Sequence, residues 1–368
     1  MIGIVLERET RGIEEAPEEP AEIRVVRSRF SRRHRAVAWV VLLCFLGALA
    51  YPFSLSLRIR YLFTPTPRVA PVHDDGPPAD LRAEDLQRAE RTVFEEVERA
   101  AFPGAALVVG QRGHRVLERG FGRMTWRRVS LPVDPDRTLY DLSSLTKIVA
   151  TTTAVMLLVD DGKMKLDDHV ARWLPAFRGE GREKVTIRHL LSHTSGLPAG
   201  RELGEGTPRQ RLDRLVATVP LIDDPGASVL YSDVGFVILG EAAARAAGEP
   251  LSTFLRKRVW EPLGMSATRF QPGLLCTVCA PTLSLEDGTP FAGKTNDPFA
   301  RELGGVTGNA GLFSTAHDVG RFAAMVAGGG ELGGVRVFRE ATLREFTRQR
   351  RGTRALGFEV FCREGTTP

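Results

Sequence analysis

Lysine is scarce in this chain of 368 residues: only Lys147, Lys163, Lys165, Lys184, Lys257 and Lys294 occur, so arginine carries most of the positive charge. The formal net charge is +5. Such a balance raises the question of nucleic acid or anionic lipid. Aromatic residues, however, make up only 7% of the chain, and no platform of interleaved aromatic and basic residues is present on which bases could stack. The run Arg348, Arg350, Arg351 and Arg354 reads as a solvated face. No nucleic-acid partner is therefore expected. Cysteine is sparse as well: Cys44, Cys276, Cys279 and Cys362. Cys276 and Cys279 form a C-x-x-C without the βαβ context of a redox motif and without a second ligand pair for zinc. Packing or a local disulfide remains for them. His189 and His193 stand four apart on a predicted helix, as zinc ligands do, but Leu190 occupies the place of the general-base Glu in H-E-x-x-H. The segment with Gly304, Gly305, Gly308 and Gly311 lacks the Lys-Ser/Thr of a phosphate-binding loop. No cofactor and no metal are expected, and no internal repeat is visible.

What is present begins with a divided N-terminus. Residues 1–35 form a charged tail, with Glu14, Glu15, Glu18 and Glu19 around Pro17 and Pro20, then Arg24, Arg27, Arg29, Arg32, Arg33 and Arg35. Residues 36–57 carry no charge. About 20 apolar residues cross a hydrocarbon core as a helix, and arginines on the N-terminal side keep that side in the cytoplasm. The expectation is a single-pass anchor in the cell membrane, with everything after it extracytoplasmic. Ala48-Leu49-Ala50 offers an alternative, a signal-peptidase site that would also export the domain. A proline-rich linker over 58–80 follows, with Pro65, Pro67, Pro71, Pro77 and Pro78. The folded domain then covers 81–368.

Within that domain, apolar residues Leu86, Val93, Phe94, Val97 and Ala101 recur at helical spacing up to Pro103-Gly104. Ala105–Gly110 and Arg115–Gly122 read as two strands of a hairpin. Thr146–Val159 is apolar nearly all round and predicts a buried helix. Further helices are predicted at Thr186–His193 with Thr186 as N-cap, and at Val234–Ala247, Leu251–Val259 and Ala316–Ala327. The order is that of an α+β domain whose hairpin belongs to a larger sheet.

The sharpest feature is Ser144-Leu145-Thr146-Lys147, the single S-x-x-K of the chain, where the short loop Tyr140-Asp141-Leu142-Ser143 enters the buried helix. Residues three apart on a helix share a face, so the serine hydroxyl and the lysine amine can meet. A serine needs a base to become a nucleophile, and a lysine desolvated against an apolar helix can serve. The helix N-terminus favours a developing oxyanion. Tyr231-Ser232-Asp233 supplies a tyrosine able to pass protons to a leaving group. Its plainer reading is a turn tyrosine beside a helix start, with Asp233 as N-cap.

Taken in order, 141–170, 185–198, 231–240, 251–268 and 303–323 resemble the class C β-lactamase/penicillin-binding protein 4B-type serine hydrolases, and the resemblance spans most of 81–361. It implies a β-lactamase/transpeptidase-like fold: an antiparallel sheet flanked by helices plus an all-helical lobe, with the site between them. It implies Ser144 as the acylated nucleophile, Lys147 as its proton acceptor, Tyr231 as second general base and Asp233 in a supporting place where many relatives have Asn. His193-Thr194-Ser195-Gly196-Leu197 resembles a structural turn of the family, and the Gly-rich segment a tight loop beside the site.

The resemblance also implies a Lys/His-Thr/Ser-Gly motif on a late strand that completes the oxyanion hole. It is not found; 356–368 resembles the stretch shortly before it. Loss of one oxyanion donor costs about 100–1000-fold in rate, so weak or no turnover is expected of the chain as it stands. Two functions follow. One is a membrane-anchored serine hydrolase acting through an acyl-enzyme on peptidoglycan peptides, β-lactams or esters. The other is a catalytically impaired or dead family member that binds cell-wall fragments.

Overall fold

The computed structural model describes residues 81–360, apart from Arg112 and 285–289. The expected tail, membrane segment and linker of 1–80, together with Cys44, Cys362 and the rest of 361–368, lie outside the described residues.

The first helix, α1, covers Ala83–Glu98. It ends before Pro103-Gly104, where the sequence placed its stop, because Ala100 turns into the left-handed region (φ 58°). Strands β1 (Gly104–Gln111) and β2 (His114–Gly122) pair antiparallel from Gly104 opposite Gly122 to Gln111 opposite His114. A two-residue loop joins them, and its Gly113 has φ 81°, a conformation glycine takes without a Cβ penalty. Helix α1 packs against this hairpin on one side and α8 (Ala316–Ala327) on the other. The α8 contact is close: a Cβ on Gly320 would fall 2.8 Å from Val108 Cγ1.

The start of α8 is tied to the hairpin electrostatically. His317 Nδ1 lies 3.0 Å from Glu118 Oε1 and 2.9 Å from Asp136 Oδ1. The Glu118 hydrogen bond holds the His317 imidazole above its ordinary range, against the effect of burial. This His-Glu-Asp group has the composition of a metal site. The guanidinium of Arg115 already stands between two of its members, 2.6 Å from Glu118 Oε2 and 2.5 Å from His317 Nδ1. The group is an ion-pair network filled by its own cation.

The buried helix runs over Ser143–Asp160 (α2) and is two-thirds buried in the fold, which makes it a core helix although its length and hydropathy would suit a membrane. It is not a uniform α-helix. A 3₁₀ turn at Ser143–Leu145 leads into a π-helical stretch, Lys147–Thr152, and then an α-helix, Thr153–Asp160. Thr153 Oγ1 returns to the Ile148 carbonyl five residues back, at 2.8 Å. Wide turns of this kind recur at functional sites. Around α2 pack α5 (Asp233–Ala247), α6 (Leu251–Leu255, continued by a wide turn over Arg256–Trp260) and α9 (Glu340–Thr347). Ala154, Val155, Met156, Phe236, Ile238 and Phe346 lose all solvent exposure there. Between α2 and α5 in the chain lie α3 (Ile187–Leu191) and α4 (Pro208–Thr218). Each begins in a capping box, at Thr186 and Thr207.

Sheet among the described residues is limited. The hairpin stands as a pair, β3 (Tyr140–Asp141) and β4 (Arg269–Phe270) flank β7 (Leu312–Ser314), and two further pairs are short: β5 (Leu283–Ser284) with β6 (Pro290–Phe291), and β8 (Glu331–Leu332) with β9 (Val335–Arg336). Helix α7 covers Pro298–Glu302. The small β3–β7–β4 sheet matters most for function, because it fixes where β3 delivers the chain into α2. Its back is held by the Cys276–Cys279 disulfide. The loop carrying it pairs with Leu139 on both sides, Leu139 N–H donating to Val278 O and Ala280 N–H to Leu139 O, each at 2.8 Å.

Candidate active site

The turn from β3 into α2 is built by one carboxylate. Asp141 Oδ1 accepts the Ser143 N–H at 2.9 Å, and Oδ2 accepts the Asn296 N–H at 2.6 Å. Ser143 takes φ 45°, a left-handed value unusual for a residue with a Cβ. Leu142 N–H donates to Leu312 O at 2.9 Å, so the turn is pinned on its other side to β7. Ser144 emerges from this turn exposed, at the head of α2. Its backbone N–H has no acceptor among the described residues. A free N–H at a helix N-terminus is suited to an anionic oxygen.

Lys147 sits one turn on and is almost fully buried. Its Nζ donates to Ser144 Oγ at 3.0 Å, Asp233 Oδ1 at 2.6 Å and Asn309 O at 3.2 Å, three acceptors for the three protons of an ammonium. The same nitrogen stands 4.7 Å from the centre of the Tyr231 ring, over its face. The structure thus brings Ser144, Lys147, Tyr231 and Asp233 together around one amine. It does not hydrogen-bond the Tyr231 hydroxyl to either Ser144 or Lys147.

Asp233 is not the N-cap of α5, as the sequence suggested. Ser232 takes that role: its Oγ accepts the Gly235 N–H at 2.9 Å and donates to Pro198 O at 2.6 Å. With the cap supplied by its neighbour, the Asp233 carboxylate is left to Lys147. Tyr231 is held from behind by His193, whose ring stacks on it at 4.5 Å. His193 Nδ1 accepts the Ser232 N–H at 3.0 Å, which places the imidazole proton on Nε2. Burial, with the Arg354 and Lys147 charges adding to it, pushes the His193 imidazole down to about 3, so the ring is neutral beside the lysine. His189 turns elsewhere; its Nδ1 accepts the Thr186 N–H at 3.2 Å and closes the cap of α3. Both histidines thus serve the fold through Nδ1, His189 at the cap of α3 and His193 behind Tyr231.

Several residues that sequence reasoning passed over complete the site. Asn309 contributes its backbone carbonyl to Lys147, and its side chain is held by Thr307 Oγ1 at 2.7 Å. Thr151 Oγ1 donates to Gly308 O at 2.7 Å, and Thr146 Oγ1 accepts the Leu312 N–H at 3.1 Å. These bonds lay the Gly-rich loop along α2. The loop reaches so close to α5 only because two glycines cross: a Cβ on Gly308 would fall 2.0 Å from Phe236 O, and one on Gly240 2.7 Å from Gly308 Cα. Of the basic run near the end, Arg348 and Arg351 are exposed as expected of a solvated face, but two of its members also reach the site. The Arg354 guanidinium lies 5.5 Å from the Tyr231 ring, and Arg351 Nη1 donates to Ala227 O at 2.8 Å, securing the loop that leads to Tyr231.

A family model described as Beta-lactamase matches residues 89–362. A Salmonella schwarzengrund protein named as a candidate D-alanyl-D-alanine carboxypeptidase is 28% identical over 327 residues, covering 78% of this chain and 74% of that protein. Among solved structures, the octameric penicillin-binding protein homologue from Pyrococcus abyssi superposes with a TM-score of 0.60 at 24% identity, over 72% of this chain; the chain spans 60% of that protein's length. EstCE1, a hydrolase with promiscuous acyltransferase activity, superposes with a TM-score of 0.61 at 24% identity, over 74% of this chain and 81% of its own.

Proposed function

The chain belongs to the Beta-lactamase family and is a serine hydrolase of that family; from this premise we propose that Ser144 is its acylated nucleophile and that the substrate is a short peptide of the cell-wall type ending in D-alanine. The observation that carries the reading is the 3.0 Å approach of Lys147 Nζ to Ser144 Oγ beneath a Ser144 N–H free to receive an oxyanion. Ser144 Oγ attacks the carbonyl carbon of the scissile amide. To accept the serine proton, Lys147 must first release one of its three ammonium protons to solvent as substrate binds; the serine proton then passes to that amine, and the carbonyl oxygen becomes the oxyanion at the helix N-terminus. Collapse breaks the C–N bond, and the amine leaves with a proton delivered through Lys147 and Tyr231. Water then attacks the ester so formed, gives up its proton to the same pair and returns Ser144 as the free hydroxyl, with a carboxylate product.

The peptide preference rests on the likeness to the Salmonella protein and its name. An ester substrate would use the same steps with an alcohol leaving group. Residues 36–57 are proposed as the membrane anchor that places this chemistry outside the cytoplasm, on the strength of their charge-free run behind an arginine cluster. The test is to supply the full chain in detergent with a peptide ending in D-alanyl-D-alanine and, separately, with p-nitrophenyl acetate. Release of D-alanine that disappears in Ser144→Ala supports the peptidase. Serine-dependent hydrolysis of the acetate alone makes it an esterase. Tight binding of the peptide without release of either product makes it a binding module.

A further inference from the structure

We propose that Asp141 is a positioning residue for the acylation step, holding the nucleophile turn in a conformation it would not keep by itself and coupling that turn to the groups around Lys147. The inference rests on Ser144 being the nucleophile. Three observations carry it. First, Ser143 sits at φ 45°, a left-handed conformation that is unfavourable for a residue with a Cβ. The Asp141 Oδ1 bond to the Ser143 N–H, at 2.9 Å, compensates that cost locally. Second, this turn sets the direction from which Ser144 enters α2, and hence both the Oγ position and the outward face of its N–H. Without it, Ser143 relaxes to negative φ, and the hydroxyl moves off the Lys147 amine.

Third, the other oxygen of Asp141 leads back to the base. Oδ2 takes the Asn296 N–H at 2.6 Å. The next residue, Asp297, caps α7 through the Ala300 N–H at 2.6 Å and accepts from Asn309 Nδ2 at 3.4 Å. Asn309 O in turn accepts from Lys147 Nζ. Asp141 thus joins the serine turn to the lysine's own acceptor through a chain of hydrogen bonds, two of its links lying on adjacent residues of one loop. The two arms are separable by substitution. Asp141→Ala removes both. Asp141→Asn keeps an acceptor for the Ser143 N–H but sets an amide donor against the Asn296 N–H. Glycine takes positive φ freely, so Ser143→Gly relieves the turn of its need for Asp141.

The experiment measures labelling of the full chain by a fluorophosphonate, separating the maximal rate from the half-saturating concentration, for wild type, Asp141→Ala, Asp141→Asn, Ser143→Gly and the pair Asp141→Ala/Ser143→Gly. A misplacement of about 1 Å costs on the order of 100-fold. The expected result is therefore a fall in the maximal rate of about 10- to 100-fold for Asp141→Ala, with little change in half-saturation, a smaller fall for Asp141→Asn, and recovery of most of the loss in the double variant. Amide exchange is followed in parallel and should quicken at Ser143 and Asn296 in Asp141→Ala. An Asp141→Ala protein that labels at the wild-type rate, or a double variant no better than Asp141→Ala, overturns the proposal. A wild-type chain that does not label overturns the serine reading instead. Amide exchange then decides the role of Asp141 in the turn: unchanged exchange refutes it.

Discussion

Lys147 Nζ and the Asp233 carboxylate stand 2.6 Å apart, with the lysine 4% exposed and the aspartate 30%. The pair crosses from the first turn of one core helix to the first residue of another, 86 positions along the chain. It is asymmetric, since the lysine is nearly closed off from solvent while the aspartate is partly open to it.

That asymmetry sets the cost of breaking it. Asp233→Ala leaves a buried ammonium without its counter-charge and should destabilise the fold by about 2–3 kcal/mol, less than a fully buried pair because Asp233 is partly solvated. Lys147→Met strands only the partly solvated partner and should cost about 1 kcal/mol or less while abolishing labelling of Ser144. Urea denaturation of both variants tests the ordering; an Asp233→Ala protein as stable as Lys147→Met contradicts it.

His193 gives the stability a pH dependence of definite sign. Its folded-state value, about 3, lies below the ordinary 6.5. Between these limits the unfolded chain binds a proton that the folded chain refuses. The contribution is full above pH 6.5 and is lost as pH falls toward 3, with a slope of about 1.4 kcal/mol per pH unit. His193→Asn should flatten that part of the profile, because Asn can accept the Ser232 N–H and tolerates the φ of 57° at this position. His317 has the opposite sign. Its raised value means stability present below pH 6.5 and lost as pH rises through the folded value, so His317→Gln should cost more at pH 6 than at pH 9. Denaturation of each variant across pH 4–9, read as differences from wild type, checks both; parallel profiles would refute them.

The crossing of Gly240 and Gly308 predicts an intolerant backbone. Gly308→Ala places a methyl 2.0 Å from Phe236 O, and the loop must retreat from α2. A loss of about 3 kcal/mol is expected, with slower labelling because Asn309 O leaves Lys147. Thermal unfolding and labelling rates measured together decide it; a loss of stability without any change in labelling would detach the loop from the site.

Much of this was legible in the residues. The spacing of Ser144 and Lys147 announces a shared helical face, and the charge-free surroundings announce burial. Thr186 as N-cap and the hairpin around Gly113 follow from local chemistry. What escaped has physical reasons. Ser232 and Asp233 are both good caps, and only the tertiary partner Lys147 decides between them. Asn309 acts through a backbone carbonyl, which any residue could supply. The π-helical stretch of α2 leaves no trace in an apolar pattern that is full all round. Ser143 carries no side-chain signature of positive φ, and the Asx turn that enforces it needs Asn296, distant in sequence. The roles of Arg351 and Arg354 stay hidden because the groups that tie them to the site, the Ala227 carbonyl and the Tyr231 ring face, lie far away in sequence.

Acylation of Ser144 is read by intact-mass analysis of the full chain after incubation with a fluorophosphonate and with a fluorescent penicillin, beside Ser144→Ala. A single adduct is expected on wild type, carried by the peptide containing Ser144, and none on the variant. A folded wild-type chain without an adduct, or an adduct that persists in Ser144→Ala, would contradict it.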